Sequence, residues 1–339
     1  MKKKTFTFSA GTVQYFFDAE FSHLEKLVAK ENAVIVTDEH VFAKHKSRFK
    51  GWNTIVLKAG EQYKIQQTVD VVIDQLMAFG ADRKTTLVGV GGGVVTDITG
   101  YVAGIYMRGI PFGFVPTSLL AMVDASIGGK NGIDVGLYKN MVGLIRQPKF
   151  LLFDFSFLRT LPKTEWQNGF AEIIKHACIK DAAMFTLLQH NTLRNFQKNS
   201  KLLSALVERN VLIKTKVVVA DEFEQGDRKL LNFGHTLGHA IENMYELSHG
   251  QAISIGMTYA AMISQQLKGY TGTTDLVNLL SKYGLPTFAK FDTKKAFKVL
   301  LKDKKKDNVS INYILLTKTG KGVVQPLLLV QLQDILKQF

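Results

Sequence analysis

The chain has 339 residues, 46% hydrophobic and 21% charged, which is enough for two domains with sizeable cores. No segment approaches the ~18 consecutive apolar residues of a membrane span, and the N-terminus lacks the apolar core of a secretory signal. We therefore expect a cytoplasmic protein that does not bind membranes. The net charge of +14 favours anionic ligands, but nucleic-acid binding is disfavoured because the lysines are dispersed, apart from one run at 302–306.

Short β-branched runs alternate with helical stretches in the first half of the chain. The alternating segment 5–20 predicts one strand, and a helical spacing of apolar residues covers 64–80. Buried strands are predicted at 33–38, 85–93, 112–117 and 150–154. Strand–helix alternation of this kind predicts a doubly wound, Rossmann-like parallel sheet.

A glycine loop follows the strand at 85–93, where Gly91, Gly92 and Gly93 come before a predicted helix. Glycines there let the backbone approach a pyrophosphate, and a helix N-terminus stabilises the negative charge. The spacing differs from the GxGxxG dinucleotide fingerprint, and no acidic ribose partner follows about 20 residues on. A tight turn without a ligand therefore remains an alternative.

Polar side chains cluster among glycines at 123–143, where Asp124, Lys130, Lys139 and Asn140 lie in predicted flexible loops, and Arg108 comes shortly before. Lysine and asparagine in such loops suit oxyanion recognition. Ordinary surface charge is the alternative. It is disfavoured because surface charge has no reason to concentrate beside the glycine loop.

The second half changes to long helical segments, beginning at Pro162 and predicted over 162–180, 201–224 and 231–246. Two late segments, 309–316 and 321–327, predict a hairpin. We therefore expect two domains, 1–156 and 157–339, with a cleft between them as the natural site. The fold class is an α/β Rossmann-like N-terminal domain followed by a mainly helical C-terminal domain.

Histidines and a glutamate in this second half suggest a metal site. His235 and His239 lie four residues apart on one helical face, His249 follows, and Glu172 shares a face with Lys175 on another helix. Three such ligands with an open position describe a catalytic zinc-type site. Spacing alone favours His235 and His239 as the paired ligands. Structural histidines are the alternative, and for His176, on an apolar turn, that interpretation is preferred.

Nine strings between about residue 60 and residue 306 resemble the 3-dehydroquinate synthase family in the family's order. They are GEQYK, GGGVVTDITG, YMRGIPF, PTSLLAMVDASIGGKNGID, YKNMVG, FAEIIKHA, LLNFGHTLGHAIE, HGQAISIGM and DKK. The resemblance implies an NAD domain, a helical metal domain and a homodimer. Ser118 and Gln251 depart from the family's usual threonine and glutamate, and the segment between His235 and His249 is short.

The resemblance also implies roles for individual residues. Those that would contact NAD are Asp38, Glu61, Lys64, Gly92, Gly93, Asp97, Thr117, Ser118, Lys130, Lys139 and Thr160. The implied metal ligands are Glu172, His235 and His249, which moves His239 from the metal to the substrate. Residues with implied substrate or catalytic roles are Asp124, Lys130, Asn140, Lys175, Lys214, Glu224 (orienting Arg228), Arg228, Asn232, His239, Lys304 and, from a partner subunit, Arg108.

The implied reaction converts 3-deoxy-D-arabino-heptulosonate 7-phosphate, an anionic sugar acid phosphate, to 3-dehydroquinate and phosphate in aromatic amino acid biosynthesis. It proceeds through transient oxidation by NAD, phosphate elimination, reduction, ring opening and aldol closure, with zinc or cobalt as the divalent metal. One rival is a cyclase acting on a neutral sugar phosphate, which would lack the carboxylate-recognition set Lys214, Arg228 and Asn232. The others are a metal-dependent polyol dehydrogenase, which would release NADH, and a nucleic-acid-binding protein.

Overall fold

The computed structural model describes residues 1–136, 138–242, 244–292, 295–297 and 310–337. It divides into two compact units, the first formed by 1–165 with 199–223 and the second by 166–198 with 224–339. The division therefore falls later than the expected boundary at 156/157. Residues 199–223 join the first unit, where Glu208 pairs with Lys2 and Lys4 of the N-terminal strand at 2.6 and 2.9 Å.

Eleven strands lie in the described part of the chain. They are β1 (Lys2–Phe8), β2 (Gly11–Phe17), β3 (Ala33–Asp38), β4 (Asn53–Leu57), β5 (Thr86–Gly91), β6 (Phe112–Pro116), β7 (Lys130–Val135), β8 (Tyr138–Ile145), β9 (Phe150–Leu152), β10 (Ser310–Lys318) and β11 (Lys321–Leu328).

The α-helices of the described residues alternate with these strands and then dominate. They are α1 (Glu39–His45), α2 (Gln66–Ala78), α3 (Gly93–Ile105), α4 (Lys163–Lys180), α5 (Ala182–His190), α6 (Leu193–Lys198), α7 (Ser200–Ala220), α8 (His235–Glu242), α9 (His249–Lys268), α10 (Thr273–Lys282) and α11 (Leu329–Leu336). Among the described residues, no helix is both long and apolar enough to cross a membrane.

Seven strands of the first unit form one sheet in the order β1-β2-β9-β6-β5-β3-β4. Every neighbouring pair is parallel except β1 with β2. The parallel part confirms the predicted Rossmann-like sheet. Leu87 and Val88 are successive residues of β5 that face opposite sides, and both are fully buried, as is typical of strands covered on both faces. The carboxyl ends of β3, β5 and β6 therefore meet at one edge of the sheet, which is where ligands of open α/β sheets bind.

Two segments of the first unit differ from the expectation. The single strand predicted at 5–20 is a hairpin of β1 and β2, which turns just before Gly11 with its φ of +131°. The loops predicted at 123–143 are largely an antiparallel hairpin of β7 and β8. Glycines allow that close pairing, because a Cβ on Gly132 would lie 2.6 Å from the carbonyl oxygen of Val142.

The second unit packs α8 against α9 at very short range. A Cβ on Gly256 of α9 would lie 1.9 Å from the carbonyl oxygen of Gly234, just before α8. This glycine lets the two helices approach closely, and the ring centroids of His235 and His249 lie 5.7 Å apart. The predicted hairpin of β10 and β11 is confirmed, and Leu316 of β10 donates its N–H to the Ser264 hydroxyl of α9 at 2.9 Å.

Candidate active site

In the first unit, the residues implied to contact NAD follow the carboxyl ends of parallel strands. Asp38 ends β3, and its Oδ1 accepts from the backbone N–H groups of His40 and Val41 at 2.9 and 3.0 Å. Gly92 follows β5 and begins α3 without a side-chain cap. Thr117 follows β6 and donates its N–H to Gly91 at 2.9 Å. Topology therefore brings these positions to one edge of the sheet.

The turn into α3 fits a dinucleotide phosphate. A Cβ on Gly92 would lie 3.5 Å from the Ser118 hydroxyl, and one on Gly93 would lie 3.3 Å from Ala125 Cβ. Glycine at both positions leaves the backbone N–H groups of the first turn accessible to a ligand oxygen. Ser118 retains the hydroxyl of the family's usual threonine and accepts from the N–H of Ala121 at 3.2 Å.

A buried ion pair lies beside this turn. Lys64 Nζ is 2.6 Å from Asp97 Oδ2 and donates to Asn140 Oδ1 at 2.6 Å, with Glu61 Oε1 at 3.8 Å. Burial acts to lower the pKa of Lys64, but the Asp97 and Glu61 carboxylates outweigh it and raise that pKa above its ordinary value. Lys64 therefore remains a cation, and it joins Asp97 of α3 to Asn140 of β8.

Two other predicted cations of the first unit, Lys214 and Arg108, differ in burial. Lys214 is nearly buried and binds Asp124 twice, at the carbonyl oxygen (2.7 Å) and at Oδ1 (2.8 Å). Arg108 is exposed in a turn where Met107, Arg108 and Gly109 all have positive φ, at 49°, 66° and 117°. Backbone strain of this kind persists at functional sites.

Three further predicted residues of the first unit lie at or near its surface. Lys130 is exposed at the start of β7, and Lys139 is half-buried in β8. Thr160 lies in a 3-10 turn, where its carbonyl oxygen accepts from Lys44 at 2.9 Å and its hydroxyl bonds His45 Nε2 at 3.0 Å.

In the second unit, three helices bring together the implied metal ligands. Glu172 of α4 is fully buried, and its Oε1 lies 3.0 Å from His249 Nε2 and 3.6 Å from His235 Nε2. One donor atom from each of the three residues lies within 4.8 Å of the others. One carboxylate and two imidazoles are a donor set that suits zinc or cobalt, so these residues fit the implied metal.

Neighbouring oxygen atoms orient the two imidazoles. His235 Nδ1 lies 3.2 Å from the Phe233 carbonyl oxygen, which favours a proton on Nδ1 and a lone pair on Nε2. His249 Nδ1 lies 3.7 Å from Glu242 Oε2. The donor atoms of His239 converge with those of Glu242 and His249, and its ring centroid is 5.1 Å from that of His235. The rings of His235 and His239, the pair favoured by spacing alone, are thus in contact. In the group of Glu172, His235 and His249, two members come from helices other than α8.

Burial and neighbouring charges separate the two histidines. Burial, helped by the charge of Lys175, lowers the pKa of His235 well below its ordinary value. Burial opposes the charge on His249 too, but the hydrogen bond to the Glu172 carboxylate and the nearby Glu242 carboxylate outweigh it and raise its pKa to about 10. Lys175 is buried in an ion pair with Glu172 Oε2.

The remaining candidates precede α8. Arg228 is buried, and Asn232 Nδ2 donates to Glu224 Oε1 at 2.7 Å. Glu224 has a φ of +60°, and its predicted role is to orient Arg228. Lys304 and the lysine run lie outside the described residues.

Sequence reasoning missed Asn168, which lies one helical turn before Glu172 on α4. Its Oδ1 accepts from Ser248 Oγ at 2.8 Å and from the N–H of Gly250 at 3.0 Å, on either side of His249. A signal was present, because asparagine is a poor residue for a buried helix interior unless its side chain bonds elsewhere.

Two solved structures share this arrangement of a sheet unit and a helical unit. One is 2-deoxy-scyllo-inosose synthase complexed with carbaglucose-6-phosphate, NAD+ and Co2+, at 26% identity, TM-score 0.86, and 99% and 100% coverage of this chain and that one. The other is 2-epi-5-epi-valiolone synthase from Streptomyces hygroscopicus subsp. jinggangensis 5008 with NAD+ and Zn2+ bound, at 25% identity, TM-score 0.87, and 100% and 98% coverage. The class is therefore that of the sugar phosphate cyclases.

Within that class, two sequence profiles match consecutive parts of the chain. The 3-dehydroquinate synthase N-terminal profile matches residues 54–168 and the C-terminal profile matches 169–306. A 3-dehydroquinate synthase of Campylobacter curvus (strain 525.92) is 39% identical over 325 residues, which is 92% of each chain. The chain belongs to the 3-dehydroquinate synthase family, and the resemblance stated from its motifs is confirmed.

Proposed function

We propose that this chain is a 3-dehydroquinate synthase, which converts 3-deoxy-D-arabino-heptulosonate 7-phosphate to 3-dehydroquinate and phosphate with NAD and a divalent metal. The observation that carries the proposal is the convergence of Glu172, His235 and His249 beside buried Lys175, in a chain of this family. When bound, NAD supplies a reversible hydride acceptor, and zinc or cobalt supplies a Lewis acid for the reacting hydroxyl.

The second unit would hold the metal and handle protons. Glu172 Oε1 and the Nε2 atoms of His235 and His249 already converge, so they are the proposed ligands. Lys175 Nζ, paired with Glu172, is positioned to hold substrate oxygen near the metal ligands. His239, beside the two ligand histidines, is the candidate for moving protons at its ring nitrogens during ring opening and aldol closure.

The anionic groups of the substrate would be bound by cations and amides. Lys130, Asn140 and Arg108 are proposed for the phosphate, with Arg108 supplied by a partner subunit. For the carboxylate, the proposed set is Lys214, Arg228 and Asn232. Asp124 fixes Lys214 Nζ through two contacts, which orients the ammonium before the substrate arrives.

The dinucleotide would lie along the sheet edge of the first unit. Asp38, Thr117 and Ser118 follow strand ends there, and Gly92 and Gly93 open the first turn of α3 to phosphate. The Lys64–Asp97 pair beside the turn, together with Glu61, Lys139 and Thr160, completes the proposed set. Gly92 and Gly93 would contribute backbone N–H groups, and the other members of the set would contribute side chains.

A homodimer is part of the proposal. Exposed apolar side chains lie on β8, where Met141 is 63% and Tyr138 48% exposed, and Met107 beside Arg108 is 42% exposed. Burying such residues against a second copy would remove apolar surface from water. It would also hold the strained turn that carries Arg108. Sedimentation of Met141→Glu should show a shift toward monomer, together with a rise in KM for the phosphorylated substrate.

A second candidate is a cyclase for a neutral sugar phosphate, and it is favoured by the TM-score of 0.86 with 2-deoxy-scyllo-inosose synthase. Carboxylate recognition separates the two. Arg228 is buried in the second unit, and a guanidinium suits bidentate binding of a carboxylate. Offered both substrates, the enzyme is expected to turn over the carboxylated one at least about 100-fold faster in kcat/KM.

The test is a product balance. Purified enzyme with NAD, Zn²⁺ or Co²⁺ and the sugar acid phosphate should release inorganic phosphate continuously with no net NADH. Treatment with a chelator should stop phosphate release, and restoring the metal should recover it. Steady accumulation of NADH would instead identify a polyol dehydrogenase.

A further inference from the structure

We infer that Asn168 is a positioning residue that sets where His249 stands relative to Glu172, and so sets the affinity of the metal site. The inference rests on the proposed metal site. It goes beyond it by assigning control of ligand spacing to a side chain that does not itself ligate.

The geometry begins with the helix that carries Glu172. Asn168 lies on α4, one turn before Glu172, and its side chain is buried. Its single oxygen, Oδ1, accepts two hydrogen bonds, from Ser248 Oγ at 2.8 Å and from the N–H of Gly250 at 3.0 Å. Those two donors flank His249, so one atom of α4 holds both neighbours of a proposed ligand.

The start of α9 is fitted closely to this contact. Ser248 is its N-cap, and Gln251 returns the capping interaction by accepting the N–H of Ser248 at 2.9 Å. Position 250 must be glycine, because a Cβ there would lie 2.6 Å from Asn168 Cα. The first turn of α9 therefore lies directly on the backbone of α4, at the level of Asn168.

His249 is the first residue of α9, so its backbone position follows that of this first turn. Its Nε2 lies 3.0 Å from Glu172 Oε1. A shift of the α9 terminus away from α4 would lengthen that distance directly. His235 is held by a separate contact, between its Nδ1 and the Phe233 carbonyl oxygen before α8. Asn168 thus controls the distance between Glu172 and His249, which are two of the three proposed ligands.

The experiment compares Zn²⁺ affinity, by competition with a chelator, across variants of the full-length enzyme. Asn168→Ala removes the acceptor and is expected to weaken binding about 10- to 100-fold, the range seen when residues that orient metal ligands are changed. Asn168→Asp keeps an oxygen for both donors and is expected to stay within about threefold of the unaltered enzyme. Aspartate keeps both the volume and the acceptor, so Asn168→Leu, which keeps a similar volume without an acceptor, separates packing from hydrogen bonding and is expected to weaken Zn²⁺ binding as the alanine does.

A matched control is available on the same helix. Ser264 of α9 is buried and accepts the N–H of Leu316 at 2.9 Å, far from His249. Ser264→Ala removes a buried contact between elements and should lower the melting temperature while leaving Zn²⁺ affinity unchanged. If Asn168→Ala does not fold, Ser248→Ala tests the same junction by removing one of the two donors, with an expected loss of about tenfold.

The outcomes separate this inference from the proposed function. If Asn168→Ala and Ser248→Ala bind Zn²⁺ as tightly as the unaltered enzyme, the inference is overturned while the metal site stands. Equal weakening by Ser264→Ala would also overturn it, because the effect would then be general destabilisation. If the unaltered enzyme does not bind Zn²⁺ or Co²⁺ at all, the metal site itself fails.

Discussion

The two units hold their candidate groups by different physical means. In the first, Asp38, Gly92 and Thr117 are brought together because parallel strands end at one edge of a sheet. In the second, Glu172 and His249 lie 77 positions apart, and side-chain contacts between helices bring them within 3.0 Å. We therefore expect side-chain changes at the sheet edge to have smaller effects than changes in the convergent helix site.

Each unit contains one of the two tryptophans, which allows the comparison to be tested unit by unit. Trp52 is buried in the first unit and Trp166 begins the second. Fluorescence of the Trp52→Phe variant should report urea unfolding of the second unit, and that of Trp166→Phe should report the first.

The largest effect is expected for Glu172→Gln. The change removes a proposed ligand and the carboxylate partner of buried Lys175. Breaking a buried pair costs about 3–5 kcal/mol, so the second unit should lose stability by that order in the Trp52→Phe background. Zn²⁺ affinity should fall more than about 100-fold, beyond the effect of residues that only orient ligands. NAD affinity, measured by equilibrium dialysis, should not change, and a matching loss of NAD binding would break the contrast between the units.

An intermediate effect is expected for Lys64→Met in the first unit. Methionine fills the volume of buried Lys64 but leaves the partly buried Asp97 without its 2.6 Å partner. We expect the first unit to lose about 3 kcal/mol in the Trp166→Phe background and NAD affinity to fall roughly tenfold. Zn²⁺ affinity is the control, and we expect it to stay within about twofold of that of the unaltered enzyme. If NAD affinity does not change, Lys64 does not contribute to the proposed NAD site.

The smallest effect is expected for Gln251→Glu, which restores the family's usual residue. Gln251 already accepts the N–H of Ser248, and glutamate would keep that bond while adding negative charge to the first turn of α9. The expected gain is about 0.5 kcal/mol for the second unit, seen as a rise of a degree or two in melting temperature. A loss of stability would show that the charge is unfavourable beside the Glu172 and Glu242 carboxylates.

The two units also differ in how well their features could be predicted from the sequence. Strand ends and the turn into α3 were predictable because hydrophobic periodicity and glycines are local signals. The β7–β8 hairpin was missed, since its glycine-rich strands lack strong alternation. The spacing of His235 and His239 indicated a metal but not the three-donor group, because Glu172 and His249 come from other helices. Family resemblance supplied that set, and neither source indicated Asn168, whose role depends on helix packing.

The central claim is that the metal is held by Glu172, His235 and His249, with His239 beside it serving the substrate. Metal content and kcat measured together on His249→Ala and His239→Ala test it most directly. We expect His249→Ala to lose the metal on dialysis against chelator, and His239→Ala to keep one equivalent per chain while kcat falls about 100- to 10,000-fold. Full metal content in His249→Ala together with metal loss in His239→Ala would contradict the claim.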